Sequence, residues 1–340
     1  MIDIALMDVK ERELLFRETA RVSGLSEAII EKDFWVCFML KHLFVKSKIK
    51  HDIYFKGGTS LSKCYGLIQR FSEDIDIILN WRVLGYKEEE PWQKRSNTAQ
   101  EKFNLEINGK TSEFLNSKFI PIIEDELKEQ GFYAFKLEMD ENDELTVLFT
   151  YPAIYNDKYI IPRIRLEIGA LAARLPIEEK AVTPYVEDYL KDSISGYEFK
   201  VNVISAVRTL FEKMTILHGE ANRISNHPIR YARHYYDVYK MVNTPLLNEA
   251  LANIELLKDV VEFKMKFYRS PRSKYEEILE GNLKLVPSDN TISIFEKDYE
   301  EMKQMFFGEI PTFQDVIQKL KTTEIIINKI VNDKRLNNAY

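Results

Sequence analysis

Residues 55–76 read FKGGTSLSKCYGLIQRFSEDID, and this stretch decides the fold. The apolar residues 53–55 predict a short strand, which the pair Gly57-Gly58 ends abruptly. Hydroxyl residues follow at once, so residues 59–63 predict a capped helix start. Isoleucines then alternate with aspartates in residues 71–79, a period-two pattern that predicts a second strand. The stretch therefore predicts a strand, a tight turn, a helix and another strand.

The turn has the composition of a phosphate-binding loop. Two glycines and two hydroxyls at a helix start expose backbone N–H groups beside the positive end of the helix dipole, where a polyphosphate binds readily. The spacing does not fit a Walker A loop, which needs four residues between its glycines and then Lys-Ser/Thr. The predicted nucleotide-binding residues here are Gly57, Gly58, Thr59, Ser60 and Lys63. The alternative is a plain turn.

Asp74 and Asp76 lie two positions apart in the second predicted strand. The strand period places both carboxylates on one face, about 6–7 Å apart. One or two carboxylates together with substrate phosphates are the usual environment of Mg²⁺. The pair therefore predicts a magnesium site, and the alternative is a solvated strand face.

Composition narrows the class of protein. The chain has 340 residues, of which 45% are hydrophobic, and this is enough to build one large core or two moderate ones. Its net charge of −6 excludes a general positive field for nucleic acid, so any such contact must be a local patch. Two cysteines make no disulfide framework, and no stretch predicts a signal peptide or a membrane span. We expect a cytoplasmic protein without a membrane partner.

The pattern along the chain predicts an α+β fold. Residues 81–130 read as mostly helical with a polar loop near 104–112, and three antiparallel strands are predicted at 132–138, 145–151 and 159–170, giving a sheet of four or five strands. After residue 192 strand signals end, and helices are predicted at 201–220, 229–242, 246–267, 273–280, 294–306 and 313–332. We expect a helical preface (1–50), a core domain (51–192) and a C-terminal helical domain (193–340) that completes the site.

The motifs resemble those of a known family. Gly57-Gly58-Thr59-Ser60 followed by Asp74-x-Asp76 resembles the first motif of DNA polymerase β-type nucleotidyltransferases, and residues 55–76 together resemble the AbiEii/AbiGii branch. The resemblance covers nearly the whole chain, through the segments Glu31-Lys32-Asp33-Phe34-Trp35, Glu212-Lys213, Arg233-x-x-x-Asp237, Leu285-Val286-Pro287 and Asp298-Tyr299-x-x-Met302.

This resemblance implies a polymerase β-like core with a mixed sheet, holding two Mg²⁺ ions and transferring a nucleotidyl group from a nucleoside triphosphate to a hydroxyl. Members of the branch are typically toxins of toxin-antitoxin or phage-defence systems, and the MenT group adds nucleotides to tRNA 3′ ends. It therefore implies a tRNA acceptor and a separately encoded antitoxin. A protein-modifying nucleotidyltransferase and a non-catalytic GTP- or ATP-binding regulatory module are the alternatives.

Two predicted helices of the second half carry further candidates. Thr209 and Lys213 lie one turn apart, so Lys213 can offer a cation to the triphosphate. The resemblance pairs Lys213 with Asp237, and we expect Asp237 to orient Lys213 or an arginine by a charge-assisted hydrogen bond. Arg233 is a candidate nucleotide-binding residue. The alternative is a surface pair between Arg233 and Asp237.

Glu167 is the third candidate metal ligand. Residues 163–169 alternate, with isoleucine and leucine on one face and Glu167 with two arginines on the other. The resemblance implies that a third strand carboxylate completes the metal site or takes the proton of the acceptor. The alternative is a surface ladder of arginine and glutamate. Glu31 and Asp33 are expected in a polar network, His234 in a buried structural position, and the basic run 264–274 in an RNA-facing patch or on solvated surface.

Overall fold

The computed structural model describes residues 1–72, 74–157, 160–224 and 227–337. The chain forms two compact units. The first contains Met1–Tyr65 and Ser72–Ile204, and the second contains Gly66–Phe71 and Ser205–Tyr340. The short segment Gly66–Phe71 lies inside the stretch of residues 55–76, but it belongs to the second unit. None of the helices in the described ranges has the length and apolarity needed to cross a membrane.

A mixed seven-stranded sheet organises the first unit, in the order β3-β4-β5-β2-β1-β7-β6. The strands are β1 (Ile53–Lys56), β2 (Ile75–Leu79), β3 (Lys136–Asp140), β4 (Asp143–Thr150), β5 (Arg163–Gly169), β6 (Ile177–Val182) and β7 (Phe199–Ile204). β2 pairs with β5 and β1 with β7 in parallel, while the other neighbours are antiparallel. The predicted mixed α+β class is confirmed.

Helices of the first unit include those of the predicted N-terminal preface. They are α1 (Ile2–Ala5), α2 (Val9–Ser23), α3 (Glu27–Lys41), α4 (Gly57–Lys63), α5 (Asn97–Phe114), α6 (Ile120–Glu129) and α7 (Tyr185–Tyr189), with π-helical turns at His42–Lys46 and Leu115–Phe119 and 3₁₀ turns at Trp81–Leu84 and Glu90–Trp92. The Ser26 hydroxyl accepts from the N–H of Ile29 and caps α3.

Helix α3 buries its aromatic residues in the core of the first unit. Trp35 is fully buried, and its ring stacks on Phe132 and on Tyr151, each with centroids 5.5 Å apart. Burying one large apolar side chain contributes about 1.5–3 kcal/mol. The preface therefore packs into the core of the first unit.

Several sequence predictions of local structure are wrong. The sheet has seven strands instead of the predicted four or five, because β6 and β7 were not predicted. The helix predicted from residue 201 begins at Ala206, after β7. β7 alternates buried and exposed residues, a period-two signal overlooked beside a long helix. The polar loop predicted near 104–112 lies inside α5, and β2 begins at Ile75 instead of residue 71. Tyr159, predicted in a strand, lies outside the described residues.

The second unit is helical in its described part, as predicted for the C-terminal half. Its helices are α8 (Ala206–Ala221), α9 (Ala232–Val242), α10 (Leu246–Ala252), α11 (Glu255–Phe267), α12 (Tyr275–Leu279), α13 (Ile292–Met302) and α14 (Phe313–Asn337), with a 3₁₀ turn at Lys303–Met305. The helix predicted over 246–267 is two helices. Aromatic rings pack in its core: Tyr235 of α9 lies 5.0 Å from Phe295 of α13, and Tyr236 of α9 stacks at 4.2 Å on Phe306, which follows the 3₁₀ turn.

Candidate active site

The register of the sheet places four polar residues in one row on one face. Lys56 of β1 pairs with Asp76 of β2, Asp76 pairs with Glu167 of β5, and Glu167 pairs with Thr146 of β4. Paired residues project from the same face, and neighbouring strands lie about 4.8 Å apart. Asp76 and Glu167 are therefore side by side, and Asp74 directly precedes β2.

Gly57 lies against the carboxylate of Asp76. Its φ of +83° is in the left-handed region, and a Cβ added there would lie 1.7 Å from Oδ2 of Asp76. Only glycine fits this position without a shift of the acid. The two halves of the motif, the glycine turn and the aspartate strand, thus meet at one point.

The hydroxyls of the turn are used to hold its backbone. The Thr59 hydroxyl donates to the carbonyl of Asp74 at 2.5 Å and lies 3.0 Å from Oγ of Ser72. The Ser60 hydroxyl donates to the carbonyl of Gly57 at 2.8 Å. Both hydroxyl residues are buried. Helix α4 begins at Gly57 itself and has no side-chain cap, so the capped start predicted at residues 59–63 is wrong.

Glu167 lies near one negative and one positive side chain, Asp76 and Arg165. Partial burial raises its pKa, and the neighbouring negative charge of Asp76 raises it further. Arg165 lies 3.4 Å from a carboxylate oxygen of Glu167 and also contacts Asp140. The side chain of Glu167 keeps 42% of its surface exposed. The arginine-glutamate ladder is therefore present, and it lies next to Asp76 instead of on a remote surface.

The carboxylates form an open arrangement. Within the described ranges, which omit Glu73 of the motif, no three His, Cys, Asp or Glu side chains are grouped as a preformed metal site. Mg²⁺ does not require such a group, because one or two carboxylates plus substrate phosphates and water commonly hold it. Asp76 and Glu167 carry like charges that repel each other, and a cation bound between them would relieve this repulsion.

Lys63 lies in a buried ion pair. Its ammonium is 2.7 Å from Oδ1 of Asp33 and 4.0 Å from the centre of the Tyr185 ring. Asp33 also accepts the backbone N–H of Tyr185 at 2.7 Å, and Glu31 accepts the backbone N–H groups of residues 154 and 155. Asp33 and Glu31 thus lie in polar networks of the first unit, as expected, and Lys63 joins the network of Asp33.

The second unit holds a buried cluster around Asp237 of α9. Oδ2 of Asp237 accepts from Nζ of Lys213 at 2.8 Å and from Nη2 of Arg70 at 2.8 Å, while Oδ1 accepts from Nε of Arg70 at 2.7 Å. Asp237 is fully buried. Burial alone would raise its pKa, but the charges of Arg70 and Lys213 prevail and hold the pKa well below its usual range. The predicted hydrogen bond between Asp237 and Lys213 is present.

The alternative surface pair of Arg233 with Asp237 is wrong. Asp237 faces inward to Arg70 and Lys213, and Arg233 makes no ion pair within the described part of the chain. His234 beside it is buried, and burial followed by the charges of Lys213 and Arg233 lowers its pKa well below the usual value. The imidazole is therefore neutral, which fits the structural role expected for it.

A family comparison decides the class of the protein. The sequence model of the nucleotidyl transferase AbiEii toxin, type IV toxin-antitoxin system, matches residues 39–319. The chain belongs to this AbiEii family. The matched range includes every candidate residue from Gly57 to Asp237. The protein is thus a nucleotidyltransferase toxin of a toxin-antitoxin system.

Other comparisons add little to the AbiEii assignment. MenT4, a nucleotidyltransferase toxin from Mycobacterium tuberculosis H37Rv, is similar in structure with a TM-score of 0.44 and 15% identity, over 92% of this chain and 98% of that chain. An identity this low transfers neither a substrate nor a residue role. The search of curated proteins found no significant match.

Two residues of this AbiEii chain escaped the sequence prediction of the site. Lys56 directly precedes the glycine pair and lies in register with Asp76. Arg70 lies four positions before Asp74 in the chain but binds Asp237 in the second unit. The two-residue period of β1 could have indicated that Lys56 lies on the same face as residue 54. No local pattern predicts the ion pair between Arg70 and Asp237, which are 167 positions apart.

Proposed function

We propose that this AbiEii-family protein transfers a nucleoside monophosphate from a nucleoside triphosphate to the 3′-terminal hydroxyl of tRNA, with two Mg²⁺ ions. The observation that carries the proposal is the pairing of Asp76 with Glu167 on one sheet face, against a glycine turn that only glycine can form. Carboxylates beside the backbone N–H groups of a glycine turn are the components that a metal-bound triphosphate needs.

Asp74 and Asp76 are the proposed metal ligands, and Glu167 is proposed to complete this set or to act as the base. Mg²⁺ held by these carboxylates would neutralise phosphate charge and would lower the cost of charge that develops during transfer. Gly57 and Gly58 are proposed to offer backbone N–H groups to the phosphates, while the buried hydroxyls of Thr59 and Ser60 keep the turn in shape. Arg233, half-buried in the second unit, remains a proposed nucleotide-binding residue.

The proposed step is an in-line displacement. The acceptor oxygen forms a bond to the α phosphorus, the bond from that phosphorus to the bridging oxygen of the β phosphate breaks, and pyrophosphate leaves. The acceptor gives up its proton, and Glu167 is proposed to take it in the alternative in which Glu167 does not hold a metal ion, because burial and the charge of Asp76 then keep its pKa raised. Lys213 is proposed to neutralise the charge that develops on pyrophosphate.

An exposed aromatic and basic segment supports a nucleic-acid acceptor. Tyr268, Arg269 and Arg272 lie beyond the end of α11 and are exposed to solvent, with Tyr268 at 48%. Single-stranded RNA ends bind by stacking of bases on aromatic rings and arginines and by phosphate contacts. Because the overall charge is −6, the protein has no general positive field to attract RNA. The proposed RNA contact is therefore this local segment.

Labelling tests the acceptor and the nucleotide together. Purified protein is incubated with Mg²⁺, each of the four nucleoside triphosphates labelled at the α phosphate, and total cell RNA or total cell protein, and the products are separated on gels. We expect label in the tRNA band with wild type and with the exposed-site control Asp125→Ala, and none with Asp76→Ala. Label in protein would contradict the RNA acceptor, and nucleotide binding without any label would favour the regulatory module.

A further inference from the structure

Arg70 makes the most extensive contact with Asp237. Its guanidinium binds both carboxylate oxygens in a fork, at 2.7 and 2.8 Å, and its third nitrogen donates to the carbonyl of Phe71 at 3.2 Å. Arg70 is 6% exposed and Lys213 is 7% exposed. A two-pronged contact of this kind fixes the rotation of the carboxylate, which a single lysine contact cannot do.

The backbone around Arg70 is held on both sides within the second unit. Arg70 forms an antiparallel bridge with Phe306, the N–H of Phe71 donates to the carbonyl of Met305 at 2.9 Å, and the N–H of Phe307 donates to the carbonyl of Gln69 at 2.7 Å. The Tyr236 hydroxyl also donates to that Gln69 carbonyl. The guanidinium is therefore presented to Asp237 from a fixed backbone.

Two cations share one carboxylate in this cluster. Arg70 and Lys213 both pair with Asp237, at 2.7 and 2.8 Å. Without Arg70, the negative charge of Asp237 would act on Lys213 alone. With Arg70 bound across both oxygens, Lys213 gives up only one of its three N–H donors to a carboxylate that is already paired.

We propose that Arg70 is a positioning residue that neutralises and orients Asp237, so that Lys213 keeps its charge for the polyphosphate of the substrate. This inference rests on the proposed function, because it supposes a triphosphate substrate. It adds to the candidate site a residue from the segment between the glycine turn and the aspartate strand. It also explains how Lys213 can attract phosphate although it lies beside the carboxylate of Asp237.

Binding of inorganic tripolyphosphate, measured by calorimetry on the full chain, tests the proposal without turnover. Arg70→Gln removes one of the two cations that share Asp237, and we expect the affinity for tripolyphosphate to fall at least about tenfold. Adding Asp237→Asn to Arg70→Gln returns one positive charge to Lys213 and should recover most of that affinity. The control is Arg12→Gln in the first unit, because Arg12 is as buried as Arg70 and donates to a backbone carbonyl. It should lower the melting temperature but leave the affinity unchanged.

The variant Arg70→Lys separates the effect of charge from the effect of geometry. It also replaces Arg70→Gln in the test if Arg70→Gln does not fold. Arg70→Lys keeps the charge but not the fork, so affinity for tripolyphosphate should stay near wild type while kcat for nucleotidyl transfer falls. Wild-type affinity in Arg70→Gln, no recovery in the double variant, or wild-type affinity and kcat together in Arg70→Lys would overturn the proposal. Absence of transfer by the wild type would instead contradict the proposed function, and the binding series would still test the role of Arg70.

Discussion

Gly57→Ala is the substitution whose effect follows most directly from the structure. The new Cβ would lie 1.7 Å from Oδ2 of Asp76, and ordinary contact begins at 3.4 Å, so the carboxylate or the turn must move by 1.7 Å. A misplacement of about 1 Å near a reacting centre can cost about a hundredfold in rate. We therefore expect kcat/KM to fall at least about a hundredfold, which corresponds to ~2.7 kcal/mol.

Gly85→Ala is the matched control for that variant. Gly85 has a φ of +90°, similar to the +83° of Gly57, but no atom lies within 4 Å of the point that a Cβ would occupy there. Both variants pay for a left-handed alanine, about 1–2 kcal/mol of stability. Steady-state transfer assays at a temperature where both are folded, with melting curves alongside, separate strain from displacement. Equal activity of the two variants would refute the contact between the glycine turn and Asp76 as a requirement of the site.

Three further predictions concern the titrating groups and the cellular effect. Because the pKa of Glu167 is raised, wild-type transfer should decline with falling pH at a pH above the ordinary glutamate value of about 4.3, and Glu167→Gln should lower the rate and remove this acid limb from the pH–rate profile. Because the pKa of Asp237 is lowered in the folded state, its stabilisation is full above the unfolded value of about 3.9 and is lost as pH falls further. Asp237→Asn should cost about 3–5 kcal/mol at pH 7 and flatten the decline of melting temperature below about pH 4. Induced expression of the wild type should slow bacterial growth and Asp76→Ala at matched levels should not, with indistinguishable growth curves contradicting a toxic activity that depends on this site.

Local sequence patterns were sufficient for the centre of the first unit. The glycine pair ended β1, and the isoleucine alternation produced β2. These features depend on residues close in sequence, so their physical causes are visible in the sequence itself. The relation of Asp76 to Glu167 was expected only in outline, since strand register is set by pairing across the sheet.

Other features depend on distant partners and could not be predicted from local pattern. Lys63 follows the glycine turn as a phosphate-binding lysine would, yet its partner Asp33 lies thirty positions earlier. Arg70 belongs to the first motif by sequence but folds with the second unit. β6 has three consecutive charged residues, 178–180, and its one fully buried side chain lies at its end, so its hydrophobic period is weak. In each case tertiary pairing decides the placement.

The most direct test of nucleotidyl transfer at the Asp74–Asp76 strand compares two positions of the label. Nucleoside triphosphate labelled at the α phosphate and the same nucleotide labelled at the γ phosphate are incubated in parallel with the protein, Mg²⁺ and tRNA. We expect the α label to enter tRNA, the γ label to be released as pyrophosphate, and Asp76→Ala to abolish both. Entry of the γ label into the acceptor, or α labelling by Asp76→Ala at the wild-type rate, would contradict nucleotidyl transfer at this strand.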